Sequence, residues 1–205
     1  MTEIYTYTML LSITSFAVAT AFTPGPNNLM LLSSGLTFGY KRTLGHILGV
    51  VMGFPIMVLA VGLGVGTVLE HYPIVYNVLK VLGLGYLLWM AWHIANTQGS
   101  IHTEEHQHDK PFTFLQAALF QWVNPKAWIM AVTAISSYTT QNAEVYYQVG
   151  IIAFIYLAVG VFSTHSWALG GVLLHRWLES QRAIRTFNRM MALLIVVSVV
   201  PFILE

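Results

Sequence analysis

The sequence contains no cysteine, which excludes disulfides, thiolate nucleophiles and cysteine-ligated metal centres. Charge is scarce too. Asp, Glu, Lys and Arg make up 8% of 205 residues, against about 25% in soluble domains. Asp109 is the single aspartate, so chemistry that needs paired intramembrane aspartates has no residues to use. There is no G-x-S-x-G elbow, no H-E-x-x-H zinc helix and no nucleotide-binding P-loop. A net charge of +1 without a basic stripe gives nucleic acid no footprint. Neither enzymatic activity, a cofactor nor a resident metal is expected. No Lys or Arg precedes Lys41, so Ala17-Val18-Ala19 is not read as a signal-peptide cleavage site.

What is present is apolar surface. At 56% hydrophobic residues, the chain has more than a soluble fold of this size can hide, and lipid is the natural solvent for the excess. A span needs roughly 20 apolar residues. The runs Met9–Tyr40, Leu44–Val68, Ile74–Ala95, Phe112–Ile135, Val145–Leu174 and Phe187–Leu204 predict an all-α integral membrane protein of about six transmembrane helices. It forms one transporter-like domain over 1–205. Lys41, Arg42, Lys110, Arg176, Arg182, Arg185 and Arg189 all fall in the loops on one side. The positive-inside rule makes that side cytoplasmic and puts both termini on the outer side of the membrane. The basic stretch from His175 to Arg189 is expected to lie at the inner headgroup surface.

The chain divides into halves of about 1–96 and 111–205, joined by a cytoplasmic linker, 97–110. Three spans per half make the second half enter from the opposite side. Each half opens with a run interrupted at proline beside asparagine: Thr23-Pro24-Gly25-Pro26-Asn27-Asn28 and Asn124-Pro125-Lys126. Paired broken helices, 1 and 4, are the mark of a 3+3 inverted repeat. Proline lacks a backbone N–H and frees upstream carbonyls. In lipid such groups must be satisfied inside the protein or in a wet cavity. Each break also restarts a helix whose positive N-terminal end suits a carboxylate. Lys126 adds a cation at or near membrane depth, where charge is costly and often functional. Thr23, Pro24, Gly25, Pro26, Asn27, Asn28, Gln121, Asn124, Pro125 and Lys126 are therefore the candidate substrate-binding residues. A plain packing kink at the first break and a snorkelling lysine at the second are the structural alternatives.

Gly45, Gly49 and Gly53 recur every fourth residue and read as a helix-packing seam. His46, His93 and His165 lie in or at the ends of spans. A histidine can titrate near neutral pH, and His165, flanked by Thr164 and Ser166, is the candidate for proton coupling. His102, His106 and His108 sit in the linker with Glu104, Glu105 and Asp109. A solvated linker accounts for them. They also motivate a second reading of the same fold, a divalent-metal exporter, and a non-transporting membrane scaffold is a third.

Thr23-Pro24-Gly25-Pro26-Asn27, then Gly39-Tyr40-Lys41-Arg42, the third-span run Lys80 to Leu87 with Gly83, Gly85 and Tyr86, and Asn124-Pro125-Lys126-Ala127 resemble the LysE-type amino-acid exporters over essentially the whole chain. Gln121-Trp122-Val123-Asn124 and Ser166-Trp167-Ala168-Leu169-Gly170-Gly171 resemble most the branch that exports cysteine and O-acetylserine, near the threonine/homoserine exporters. The resemblance implies a secondary exporter of small neutral amino acids in the bacterial inner membrane, driven by protons and often a homodimer. The residues agree on charge. No acid lies in the predicted spans to pair with a cationic substrate side chain, which argues against lysine or arginine and leaves the substrate ammonium to freed carbonyls and aromatic faces.

Overall fold

The computed structural model describes residues 5–66, 71–96, 110–140, 144–178 and 180–204, and every regular element among them is helical. Helix α1 (Tyr7–Phe22) is capped by Thr6, whose hydroxyl accepts from the Met9 amide at 3.3 Å. It stops at Thr23, held at φ −64° and ψ 142°, because a residue before proline is driven out of the helical region. Helix α2 (Pro26–Ala60) restarts the chain with proline in its first turn, where the missing N–H costs nothing.

Gly39, at φ 74° and ψ 167°, splits α2 into arms 26–38 and 40–60. A straight helix would separate Ser34 from His46 by about 18 Å. Instead Ser34 Oγ lies 3.1 Å from His46 Nδ1, so the second arm folds back along the first. It runs on into a π-helical turn, Val61–Val65, where Gly64 takes φ 108°. Helix α3 (Pro73–Asn96) follows. Helix α4 (Phe114–Phe120) opens with a reciprocal cap: Thr113 Oγ1 accepts from the Gln116 amide and Gln116 Oε1 from the Thr113 amide. A 3-10 turn, Gln121–Val123, leads to Asn124 and then to helix α5 (Pro125–Tyr138), α6 (Val145–His175) and α7 (Gln181–Leu204).

These helices lie where the apolar runs were read, with one difference. Helix α7 begins at Gln181, within the basic stretch that hydropathy alone leaves outside the sixth run. Arg182, Arg185 and Arg189 are exposed while Ile184 and Asn188 are buried, the two faces of an amphipathic opening of about two and a half turns. Among the described residues, two helices are long and apolar enough to cross a membrane, Pro26–Val65 and Val145–His175. Helix α1 has 16 residues and covers only about 24 Å, so a crossing there needs the segment beyond the break.

The outer surface is strongly apolar. Leu44, Leu48, Met52, Ile56, Leu59 and Leu63 form an exposed apolar stripe along the second arm of α2, and Phe154 and Phe162 stand out from α6 at 68% and 71% exposure. The interior carries the polar groups instead: Asn28, Ser33, Ser34, Thr37, Thr43, His46, Gln121, Asn124, Ser163, Thr164 and Asn188 are buried. One core, around Ile13, Phe54, Met57, Ala131, Ile152 and Tyr156, joins α1, α2, α5 and α6. A second, around Met30, Leu87, Met90, Phe120 and Ile195, joins the first arm of α2 to α3, α4 and α7. The first arm is gripped from both sides. Asn188 of α7 accepts from Ser33 Oγ at 2.8 Å and donates to Thr37 Oγ1 at 3.1 Å. Against α6 the backbones almost touch: a Cβ at Gly35 would meet Ala168 O at 2.0 Å, and one at Gly171 would meet Leu32 O at 2.0 Å.

Gly35→Ala should therefore lower the melting temperature of the detergent-solubilised protein by several degrees, since overpacking against backbone costs ~1–3 kcal/mol. Gly150→Ala, where an added Cβ meets nothing within 4 Å, should leave it unchanged or higher. Equal behaviour of the two variants in a thermal-shift assay would contradict this packing.

Candidate functional site

The two chain breaks come together. Three residues that precede prolines, Thr23, Gly25 and Asn124, are all extended, as the proline ring demands. This leaves the carbonyls at the end of α1 without helical donors, and Lys126 of the opposite half supplies them. Its Nζ donates to Thr23 O at 2.7 Å, Thr23 Oγ1 at 2.9 Å and Pro24 O at 3.4 Å. The lysine passes directly over Gly25, where a Cβ would lie 2.7 Å from Lys126 Cδ. Gly25 is extended at φ −178°, so the small residue serves this close approach rather than an unusual backbone.

Side-chain amides complete the junction. Asn28 Nδ2 donates to Ala21 O and Thr23 O, both at 2.8 Å. Asn27 and Gln121 exchange two hydrogen bonds across the halves, Asn27 Nδ2 to Gln121 Oε1 at 2.8 Å and Gln121 Nε2 to Asn27 Oδ1 at 3.2 Å. Gln121 also donates to Ala117 O at 2.8 Å. Asn124 caps α5 by accepting from the Lys126 amide at 3.2 Å. Ser163 of α6 donates to Ala21 O at 2.7 Å. No side chain caps α2, so the amides of Asn27 and Asn28 have no partner within their own helix.

Around this junction lies a cavity of about 60 Å³. One water occupies roughly 10–15 Å³ on this measure, so the space takes a molecule the size of a small amino acid. Thr20, Ala21, Gly25, Asn27 and Asn28 line it from the first break. Val50, Val51, Phe54 and Pro55 come from the second arm of α2, Asn124, Lys126, Ala127 and Met130 from the second break, and Tyr156, Gly160, Ser163 and Thr164 from α6. No carboxylate is among the described residues lining it. Phe54 and Tyr156 meet edge to face, ring centres 5.0 Å apart, and the Tyr156 hydroxyl lies 3.4 Å from Thr20 Oγ1.

The family model for LysE type translocators matches residues 18–205, from before the first break to the last residue. The chain belongs to the LysE type translocator family. It is a transport protein rather than an enzyme. It is 30% identical over 192 residues to the cysteine/O-acetylserine efflux proteins of Escherichia coli (strain K12) and Shigella sonnei (strain Ss046), covering 93% of this chain and 95% of each relative. The protein of the same name from Escherichia coli O1:K1 matches to the same extent. No solved structure matches.

Of the residues singled out in the translocator's sequence, Gly25, Asn27, Asn28, Asn124 and Lys126 line the cavity. Thr23, Pro24, Pro26, Gln121 and Pro125 frame it from behind, through the geometry and hydrogen bonds just described. His165 is not among the lining residues. Its Nδ1 lies 2.7 Å from Val161 O, and its ring is 5.9 Å from that of Tyr40. Gly49 and Gly53 face α4, where added Cβ atoms would meet Phe114 O at 2.4 Å and Ala118 Cα at 2.7 Å, while Gly45 is looser, at 3.7 Å from the Phe114 amide. The histidine loop 102–108 lies outside the described residues.

Sequence reasoning missed Thr20, Phe54, Met130, Tyr156, Ser163 and Thr164. A signal existed in α6: Tyr156, Gly160, Ser163 and Thr164 recur at helical spacing on one face, and His165 is one residue, about 100° around the helix, off that face.

Asn28 offers a test of the junction. Asn28→Leu should lower stability by ~1–3 kcal/mol through the two lost carbonyl contacts. Asn28→Asp should cost more, because it sets a carboxylate against carbonyl oxygens that want a donor. Thermal inactivation in detergent ranks the two, and an Asp variant at least as stable as the Leu variant would refute the assignment.

Proposed function

We propose that this translocator is a secondary exporter of small neutral amino acids, of the cysteine/O-acetylserine or threonine/homoserine type, in the bacterial inner membrane. It works by alternating access and is coupled to protons. The observation that carries the reading is the cavity at the meeting point of the two breaks, polar at the helix starts, apolar at Val50, Phe54 and Met130, and free of carboxylates among its described lining residues.

The substrate carboxylate binds at the start of α2. The uncapped amides of Asn27 and Asn28 point along a helix whose N-terminal end carries partial positive charge, and the cation of Lys126 adds to the same field. Small size follows from the cavity volume of about 60 Å³, and neutrality from the lack, among the described lining residues, of an acid that would offset a second cationic group. The names of the curated relatives support the same substrate class.

Six spans in two inverted halves fit the element order. A broken helix, a long helix and a further helix occur twice, as α1 with α2 and α3, and as α4 and α5 with α6 and α7. Arginine and lysine placement keeps both termini on the periplasmic side. His165 remains the candidate proton carrier, because its contact with Tyr40 puts it beside the Gly39 break of α2.

The test is counterflow in sealed proteoliposomes preloaded in turn with O-acetylserine, cysteine, threonine, homoserine and lysine. The wild type should exchange one or two neutral amino acids and not lysine. Lys126→Ala and Pro26→Ala should insert normally and lose at least tenfold in rate. Full transport by both variants would remove the breaks from the mechanism.

A further inference from the structure

A zwitterion has a second charge to place, and no acid is among the described residues lining the cavity to receive it. Backbone carbonyls are the remaining strong acceptors, and each offers two lone pairs. Five of those at the first break already accept from protein donors, two of them twice. Ala21 O accepts from Asn28 Nδ2 and Ser163 Oγ. Thr23 O accepts from Asn28 Nδ2 and Lys126 Nζ. Thr20 O accepts from Thr23 Oγ1, Pro24 O from Lys126 Nζ, and Gly25 O from the Leu29 amide.

One proline in the cavity wall lies away from both breaks. Pro55 is inside α2, has no N–H, and so cannot donate to the carbonyl four residues earlier. That carbonyl belongs to Val51, and Val51 and Pro55 both line the cavity. Beside them Phe54 meets Tyr156 edge to face, which brings two aromatic rings, whose faces attract a cation, to the cavity lining.

We propose that the Val51 carbonyl freed by Pro55, flanked by the rings of Phe54 and Tyr156, is the subsite for the α-ammonium of the transported amino acid. The proposal rests on the amino-acid exporter reading and adds the partner for the charge that the helix starts repel. The carboxylate then binds α2's opening amides and the ammonium its folded-back arm.

The experiment measures competition against labelled cysteine counterflow, under reductant, by unlabelled cysteine and by 3-mercaptopropionate, which is cysteine without its amino group. The wild type should prefer cysteine strongly. Pro55→Ala restores an N–H that occupies the Val51 carbonyl. It should weaken competition by cysteine by roughly tenfold while leaving 3-mercaptopropionate unchanged. A merely structural proline predicts equal loss for both, and that result, or full wild-type discrimination in the variant, would overturn the subsite. Phe54→Leu should reduce the preference several-fold and Phe54→Tyr should retain it, which keeps the test decisive if Pro55→Ala fails to insert. A wild type that exchanges cysteine but does not distinguish it from 3-mercaptopropionate overturns the subsite alone. A wild type that exchanges no amino acid overturns the exporter reading, and the subsite with it.

Discussion

The structure turns on one long-range contact, the ammonium of Lys126 resting on the carbonyls of Thr23 and Pro24. A helix that ends inside an apolar layer leaves acceptors that no lipid can satisfy. The cation that satisfies them stands on the first turn of a helix a hundred residues on. Each break therefore supports the other: α1 can stop because α5 begins there, and the Lys126 ammonium finds oxygen acceptors because α1 has stopped. Gly25 is bare so that the lysine can cross it, and the Asn27–Gln121 exchange holds the two strands of the junction in register.

The rest of the fold is arranged to keep that junction in place. The first arm of α2 carries Asn27 and Asn28 and is held by backbone contact on α6 at Gly35 and Gly171 and by the Asn188 clamp on α7. Where helices pack in a membrane, burial of apolar surface does not drive them together, and close packing and interhelical hydrogen bonds carry the association. Outward stripes of leucine and phenylalanine and an inward set of small and amide side chains are the expected counterpart.

The breaks themselves were legible in the sequence because proline acts through covalent chemistry. It lacks a donor and disfavours a helical predecessor, so Pro24, Pro26 and Pro125 announce extended residues before them, whereas Phe54 before Pro55 stays helical. The glycine spacing on the second arm was legible for a similar reason. What Lys126 touches was not, since a lysine's partners are decided by residues far away in the chain. The polar patch of α6 shows the limit from the other side. Chemical type drew attention to the histidine, while the helical period puts Ser163 and Thr164 on the cavity face. The start of α7 was obscured because hydropathy averages over Arg182, Arg185 and Arg189, whereas their spacing marks the wet side of a helix.

Gly39 gives the hairpin of α2 an unequal geometry. From that single joint to Asn27 is twelve helical residues, a rigid rod of about 18 Å. A turn of about 10° at the joint would sweep the far tip by ~3 Å, the length of one hydrogen bond. The residue that sets the angle is thus a fulcrum for the rod that carries the Asn27 and Asn28 amides. Leverage of this kind turns a small local torsion into a displacement of hydrogen-bond length at the far tip, and it asks nothing of the fulcrum's own side chain, because glycine has none.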